Sequence, residues 1–224
     1  MKNELNKRLI SSLIIIPLTF FIIIKGSYLF NIFLFICLFI SLYEWHLMSK
    51  RIKYHLFGYI LLCISFYSVF SLRNNFGDES LALFLVVLLI CIFTDIGGYV
   101  FGNIFKGPKI TSISPNKTYS GMIGGYFCSF TIILLVFENS KLLFDISLKW
   151  SIETCIYVFL ISTVSQLGDL IISYFKRLSK IKDTGKIIPG HGGFLDRIDG
   201  IIFVMPITYL CVLPILINKL NLIK

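Results

Sequence analysis

The sequence predicts an all-α integral membrane protein: a polytopic bundle of about seven transmembrane helices with its N-terminus in the cytoplasm. Three observations carry this reading. Of the 224 residues, 56% are hydrophobic and only 15% are charged, with a mean hydropathy of +0.85, whereas a soluble domain is nearer one quarter charged. Seven segments approach the roughly 20 apolar residues that a helical span requires. When the loops between them are assigned to alternating sides, fifteen of the 21 Lys and Arg residues fall on one side and six on the other. Basic loops stay cytoplasmic, which sets the orientation.

The segments are Leu9–Ile24, Tyr28–Tyr43, Tyr54–Leu72, Leu81–Phe101, Met122–Phe137, Trp150–Ile172 and Ile198–Ile217. The first follows a basic start and could pass for a signal peptide. No small-residue cleavage site follows it, and Lys25-Gly26 opens directly onto the next segment, so it is read as a retained helix. Residues 1–75 are expected to be scaffold. Glu44, Trp45, His46 and the cluster at Lys50, Arg51 and Lys53 fall at a membrane edge, where aromatic and basic side chains serve as anchors. His46 and His55 are read as structural or solvated.

Residues 76–224 hold the polar chemistry, within a single domain overall, and two long loops, 102–120 and 173–197, are expected on the cytoplasmic side. The net charge of +9 does not point to nucleic acid, because the bases are spread over loops that would face anionic lipid headgroups. All six cysteines lie inside the apolar segments and none forms a Cys-x-x-Cys pair. They read as buried thiols, not as a zinc or disulfide framework.

The fourth segment ends "TDIGGYVFGNIFKGP". A carboxylate such as Asp95 in an apolar run must face protein, water or a cation, because lipid exposure is costly. A site role and a structural hydrogen bond both remain open for it. Gly98 and Gly102, and Gly121 and Gly125, repeat the small-x-x-x-small spacing that lets helices approach closely, so packing is the favoured reading. Between them "GPKITSISPNKTYSG" offers Lys109, Lys117 and hydroxyls at Ser112, Ser114 and Thr118, with Pro115 to stiffen the turn. Bases interleaved with hydroxyls suit a phosphate, and equally any solvated loop.

The sixth segment ends "SQLGDLIISYFKR". Asp169, Ser173 and Lys176 are spaced i, i+4, i+7 and so share one helix face, with Ser165 a turn earlier. A salt bridge from Asp169 to Lys176 or Arg177 is the structural alternative to a ligand role. Farther on, "IIPGHGGFLDRIDG" places Asp196 and Asp199 three apart at the start of the last segment. A dipole complement explains one such aspartate. It does not explain Asp169 beside them. Carboxylates and hydroxyls among Lys180, Lys182, Lys186 and Arg197 suit Mg²⁺ carrying substrate phosphates. Gly190, Gly192 and Gly193 would let backbone N–H groups approach phosphate oxygens. His191 could hold a phosphate or a base, or simply bond within the turn; a metal role is disfavoured because Mg²⁺ prefers oxygen.

The stretch from Ser173 to Asp199, "SYFKRLSKIKDTGKIIPGHGGFLDRID", resembles the signature of the phosphatidate cytidylyltransferases, also called CDP-diacylglycerol synthases. The matching elements are Ser173, Lys176-Arg177, Lys182-Asp183, Gly185, Pro189, His191-Gly192-Gly193 and Asp196-Arg197-x-Asp199. "TDIGGYVFGNIFKGPKITSISPNKTYSG" is similar to the family's upstream Gly-rich and Ser-Pro-x-Lys-Thr region. The resemblance spans roughly residues 80–217. One departure is Ser120, where members often carry an acid; the chain is also shorter than many members.

The resemblance implies an all-helical homodimer in the cell's inner membrane, with its active site facing the cytoplasm. It implies transfer of the cytidylyl group of CTP to phosphatidic acid, with Mg²⁺ as cofactor and K⁺ as a candidate second cation. It also implies Asp169 and Asp196 as metal ligands. Ser173, Lys176, Arg177, Lys182, Asp183, His191, Arg197 and Asp199 are the further catalytic candidates. Asp95, Ser114, Lys117, Thr118, Gly192 and Gly193 are the substrate-binding candidates. No nucleic-acid partner is expected. Two other functions stay open. Asp196-x-x-Asp199-Gly200 begins like the motif of the CDP-alcohol phosphatidyltransferases, but "IIFVMPITYL" does not continue it. A transporter could also place Asp95 and Asp169 in spans, although no inverted repeat is evident.

Overall fold

The computed structural model describes residues 2–50, 54–75, 77–111, 114, 117–144, 150–188 and 192–221, and the side chains of all of these except 2–12, 78 and 213–221. The described residues form helices and no strand: α1 (Lys2–Lys25), α2 (Ser27–Ser49), α3 (His55–Asn74), α4 (Ser80–Phe105), α5 (Tyr119–Glu138), α6 (Ser140–Phe144), α7 (Ile152–Leu178), α8 (Leu195–Ile198) and α9 (Ile201–Asn221). Each apolar segment of the sequence maps onto one of the seven longer helices. Five of these, α2 to α5 and α7, are long and apolar enough to cross a membrane. The other two contribute the shorter apolar stretches Leu13–Lys25 and Ile201–Val212. The chain is an all-helical, multi-pass membrane protein.

The helices outrun the apolar segments at the polar end of the bundle. α4 continues past Phe101 to Phe105 and α7 past Ile172 to Leu178. Hydropathy marks the part of a helix that meets lipid, whereas the backbone ladder continues until a terminating geometry intervenes. For α4 that geometry is Lys106 at φ 53, whose N–H still reaches the Gly102 carbonyl at 3.1 Å. The two loops are correspondingly shorter than expected.

α4 and α5 pack along a glycine seam. A Cβ on Gly97 would overlap the Gly124 carbonyl and come within 2.8 Å of the Cys128 Cβ; one on Gly121 would lie 2.6 Å from the Gly98 carbonyl. The spacing read in the sequence marks a packing device at Gly121 and Gly125, whereas on α4 the tight position is Gly97 and not its neighbour Gly98. α7 joins this pair through hydroxyls: Thr94 to Ser162 at 2.9 Å and Tyr126 to Thr163 at 2.9 Å. Ser165 lies on the protein side of α7, where a Cβ on Gly200 would meet its Oγ at 2.6 Å.

Two apolar clusters fill the bundle. The larger is built around Phe30, Leu72, Val87, Ile90, Ile133, Ile161 and Met205. The smaller one, around Trp45, Leu62, Phe66, Ile172, Phe175, Leu195 and Ile202, lies under the loop that leads into α8. It corrects one expectation. Trp45 is buried, stacked edge-on against Phe175 with ring centroids 5.2 Å apart, and its indole N–H donates to the His55 carbonyl at 2.8 Å. It is a core residue, not an interface anchor. His46 bonds the Tyr59 hydroxyl at 2.7 Å, in keeping with a structural role.

The seam makes a direct test possible on adjacent residues. Gly97→Ala is expected to cost about 1–3 kcal/mol through overpacking. Gly98→Ala, whose Cβ finds nothing nearer than the Gly121 carbonyl at 3.8 Å, is expected to be near neutral. The thermal unfolding midpoints of the two variants in detergent read the difference.

Candidate active site

Two loops meet at the polar end of the bundle. The first leaves α4 at Lys106 and returns to α5 as a narrow turn: the Ile110 N–H donates to the Lys117 carbonyl at 3.0 Å and the Tyr119 N–H to the Pro108 carbonyl at 3.1 Å. Thr118 caps α5, its Oγ1 accepting from the Gly121 N–H at 3.1 Å. Ser120 donates to the Lys106 carbonyl and bonds the Thr118 hydroxyl at 2.9 Å. This closure points Lys117 at α7, where its Nζ pairs with Asp169 and donates to the Gln166 carbonyl at 3.4 Å.

The second loop starts where α7 ends. Lys180 takes φ 56 and the Ile181 N–H returns to the Lys176 carbonyl at 3.0 Å. The loop closes where the Ile188 N–H donates to the Gly192 carbonyl at 3.1 Å. Gly192 sits at φ 87, a conformation that favours glycine. Leu195, fully buried, then anchors α8 in the smaller core.

Between the loops lies a cleft of about 550 Å³, within the range of small-molecule sites. Of the residues singled out in the sequence, Asp95, Ser114, Lys117, Thr118, Asp169, Lys176, Asp183, Asp196, Arg197 and Asp199 line it. Tyr99, Met122, Tyr126, Thr163 and Leu167 are among the other residues that line it. Ser173, Arg177, Lys182, Gly192 and Gly193 are not part of the lining. Ser173 is buried behind Asp169 and donates to its Oδ1 at 3.3 Å. Arg177 is exposed and donates to the Ile181 carbonyl at 3.3 Å, bracing the end of α7. Lys182 is exposed. His191, Pro189 and Gly190, like Ser112, Pro115, Arg51 and Lys53, lie outside the described residues.

Asp196 accepts three bonds in the cleft wall. Its Oδ2 accepts the Thr184 N–H at 2.9 Å and the Gly193 N–H at 3.1 Å, and its Oδ1 accepts Lys176 Nζ at 2.9 Å. Two expectations change here. Lys176 neutralises Asp196 and not Asp169, whose cation comes from the other loop as Lys117. The Gly193 N–H is spent on Asp196 and is not open to a phosphate oxygen. Asp199, in the turn between α8 and α9 and outside the spanning helices, is buried. Its Oδ1 accepts the Gly200 N–H at 2.9 Å. Burial and then the neighbouring Asp169 carboxylate push its carboxyl well above the usual range, against the pull of Lys176.

No cluster of three or more His, Cys, Asp or Glu able to enclose a metal occurs among the described residues. A closed metal cage is therefore not built here. The donor set does fit an ion held by one or two carboxylates with the rest of its shell supplied by water and phosphate, as Mg²⁺ is usually held. An ionised carboxylate offers about four lone-pair sites. Asp169 meets Ser173, Lys117 and the neighbouring Asp199, and Asp196 accepts from three donors.

The sequence reading missed Glu44. It was placed at the membrane edge, yet it is 1% exposed and accepts hydrogen bonds from the Thr184 hydroxyl at 3.0 Å, the Phe194 N–H at 3.0 Å and the Leu195 N–H at 2.8 Å. The available signal was a lone acid abutting an apolar segment next to a tryptophan. The rule applied to Asp95, that such an acid needs a partner, applied to it as well.

The model of the cytidylyltransferase family matches residues 49–214 of the chain. The phosphatidate cytidylyltransferase of Rickettsia bellii (strain RML369-C) is 35% identical over 215 residues, covering 93% of this chain and 90% of the relative. That of Rickettsia felis (strain ATCC VR-1525 / URRWXCal2) is 33% identical over 217 residues, covering 93% and 92%. That of Staphylococcus saprophyticus is 35% identical over 173 residues, covering 75% of this chain and 64% of the longer relative. The match takes in both loops and every described residue of the cleft, and the chain belongs to the cytidylyltransferase family, among the phosphatidate cytidylyltransferases.

Proposed function

We propose that this protein transfers the cytidylyl group of CTP to phosphatidic acid, releasing pyrophosphate and forming CDP-diacylglycerol, with Mg²⁺ held at Asp169 and Asp196. The observation that carries the reading is the convergence of two stretches far apart in sequence on one cleft. Lys117 from the first loop is bonded to Asp169, and Lys176 at the end of α7 to Asp196 in α8, beyond the second loop. The lining joins charged groups from both loops to Tyr99, Met122, Tyr126 and Leu167. That mixture suits a substrate with an anionic head and hydrocarbon tails meeting a water-soluble polyanion.

In the reaction a phosphate oxygen of phosphatidic acid attacks the α-phosphorus of CTP. A new P–O bond forms as the bond to the β-phosphate breaks, and the electron pair leaves with pyrophosphate. The nucleophile already carries charge, so no side-chain base is required. The protein's part is positioning and neutralisation, as in other phosphoryl transfers. Lys117, Lys176 and Arg197 border the cleft and bring positive charge to the phosphates. Asp169 and Asp196 retain lone pairs for a cation. Mg²⁺, when bound, neutralises phosphate charge and polarises the α-phosphorus; K⁺ is the candidate for a second cation.

Ser173 orients Asp169, Asp199 lies beside it as a neighbour, and Asp95 faces the same cleft from α4. The cleft faces the cytoplasm of a cell's inner membrane in this reading, with the N-terminus on the same side. The basic residues of the two loops, Lys106, Lys109, Lys180, Lys182 and Lys186, favour that side. Assembly as a homodimer rests on the family resemblance.

Purified protein in detergent, given phosphatidic acid, labelled CTP and Mg²⁺, is expected to form labelled lipid. A chelator should stop the reaction and added Mg²⁺ restore it; no labelled lipid under any condition would end the assignment. Asp169→Asn and Asp196→Asn are each expected to lower turnover by at least about 100-fold in protein that stays folded. A stability measurement checks the ion pair separately. Lys176→Met strips a buried carboxylate of its cation and is expected to cost about 3–5 kcal/mol, and adding Asp196→Asn should return part of that loss in thermal unfolding.

A further inference from the structure

We infer that Glu44, on a helix outside the cleft and ahead of residue 49 where the family match begins, is a positioning residue for the nucleotide-phosphate end of the site. The inference rests on the reading of the cleft as the CTP site.

The geometry is a clamp of two carboxylates around one loop. Asp196 holds the loop from the cleft side through the Thr184 and Gly193 N–H groups. Glu44 holds it from the opposite side through the Thr184 hydroxyl and the Phe194 and Leu195 N–H groups. Thr184 is bonded to both, with its N–H to one acid and its hydroxyl to the other, and is itself buried. The three donors to Glu44 lie 140 to 151 residues away in sequence, so this one side chain ties α2 to the segment that carries Asp196 and Arg197. α2 contributes nothing to the cleft lining. Glu44 can act on the reaction only by setting where that segment sits.

Two motif glycines report the same contact. A Cβ on Gly193 would come within 2.7 Å of the Glu44 carboxylate, and one on Gly185 would overlap it. Gly193 has no positive φ. Its lack of a side chain is therefore explained by the close approach of the bonded pair, the Thr184 hydroxyl first and the Glu44 carboxylate behind it, together with the Gly185 backbone N, and its N–H is directed at Asp196. Glu44→Gln keeps the volume but turns an oxygen that accepts N–H and O–H donors into a donor itself, so at least one of the three bonds is lost.

The test separates positioning from folding. A smaller folded fraction lowers apparent turnover but leaves KM unchanged. Glu44→Gln and Thr184→Val are each expected to raise the KM for CTP at least about fivefold, with the KM for phosphatidic acid within about twofold of wild type. Thr184→Ser keeps the hydroxyl and should restore wild-type KM for CTP. The double variant should be little worse than either single one, because both break the same link. If Glu44→Gln does not fold, the Thr184→Val and Thr184→Ser pair decides alone. A CTP KM within about twofold of wild type in Thr184→Val would overturn the inference while leaving the activity in place. Absence of turnover in wild type would instead remove the functional reading beneath it.

Discussion

The site depends on the need of a buried carboxylate for donors. At the polar end of this bundle Glu44 and Asp196 are nearly withdrawn from solvent, and Asp169 is half-buried. Asp196 is satisfied by α7 and the loop that follows it, Glu44 by that same loop and the first residue of α8, and Asp169 by Lys117 from the loop before α5 together with Ser173 on its own helix. An unpaired carboxylate in such surroundings costs several kcal/mol. The acids therefore fix the loops, and the loops carry the remaining chemistry.

This explains why so much polar sequence ends beside hydrocarbon. The apolar clusters align the helices, but they say little about how a loop of lysines and glycines should fold over them. Leu195 supplies one apolar anchor. The rest of the shape comes from backbone N–H groups that must find acceptors, and the acceptors are side chains on neighbouring helices. Stability at this end and the arrangement of the candidate chemistry are the same set of bonds.

Much of the fold was legible in the sequence because spans announce themselves by length and composition. The seven segments found their helices, and the glycine spacing at Gly121 and Gly125 marked a real seam. Helix ends were less legible, since α4 and α7 run on through residues that hydropathy scores as loop. Partners were least legible. A periodicity argument places Asp169, Ser173 and Lys176 on one face, and Asp169 does meet Ser173. It cannot show that Lys117, some fifty positions away, supplies the cation while Lys176 turns to Asp196. Glu44 was missed for the same reason: an acid beside Trp45 at the end of an apolar run looks like a membrane-edge pair until the fold brings Thr184, Phe194 and Leu195 against it.

The glycine seam also bears on how the cleft can change shape. Where two backbones touch carbonyl to Cα, no side chain is left to yield by rotating, and α4 and α5 form one stiff hairpin. α7 is joined to that hairpin by hydroxyl pairs and a lysine reach, which can lengthen or swap partners at small cost. The wall built by α4 and α5 is thereby the stiffer side of the cavity, and the side formed with α7 the more adjustable one.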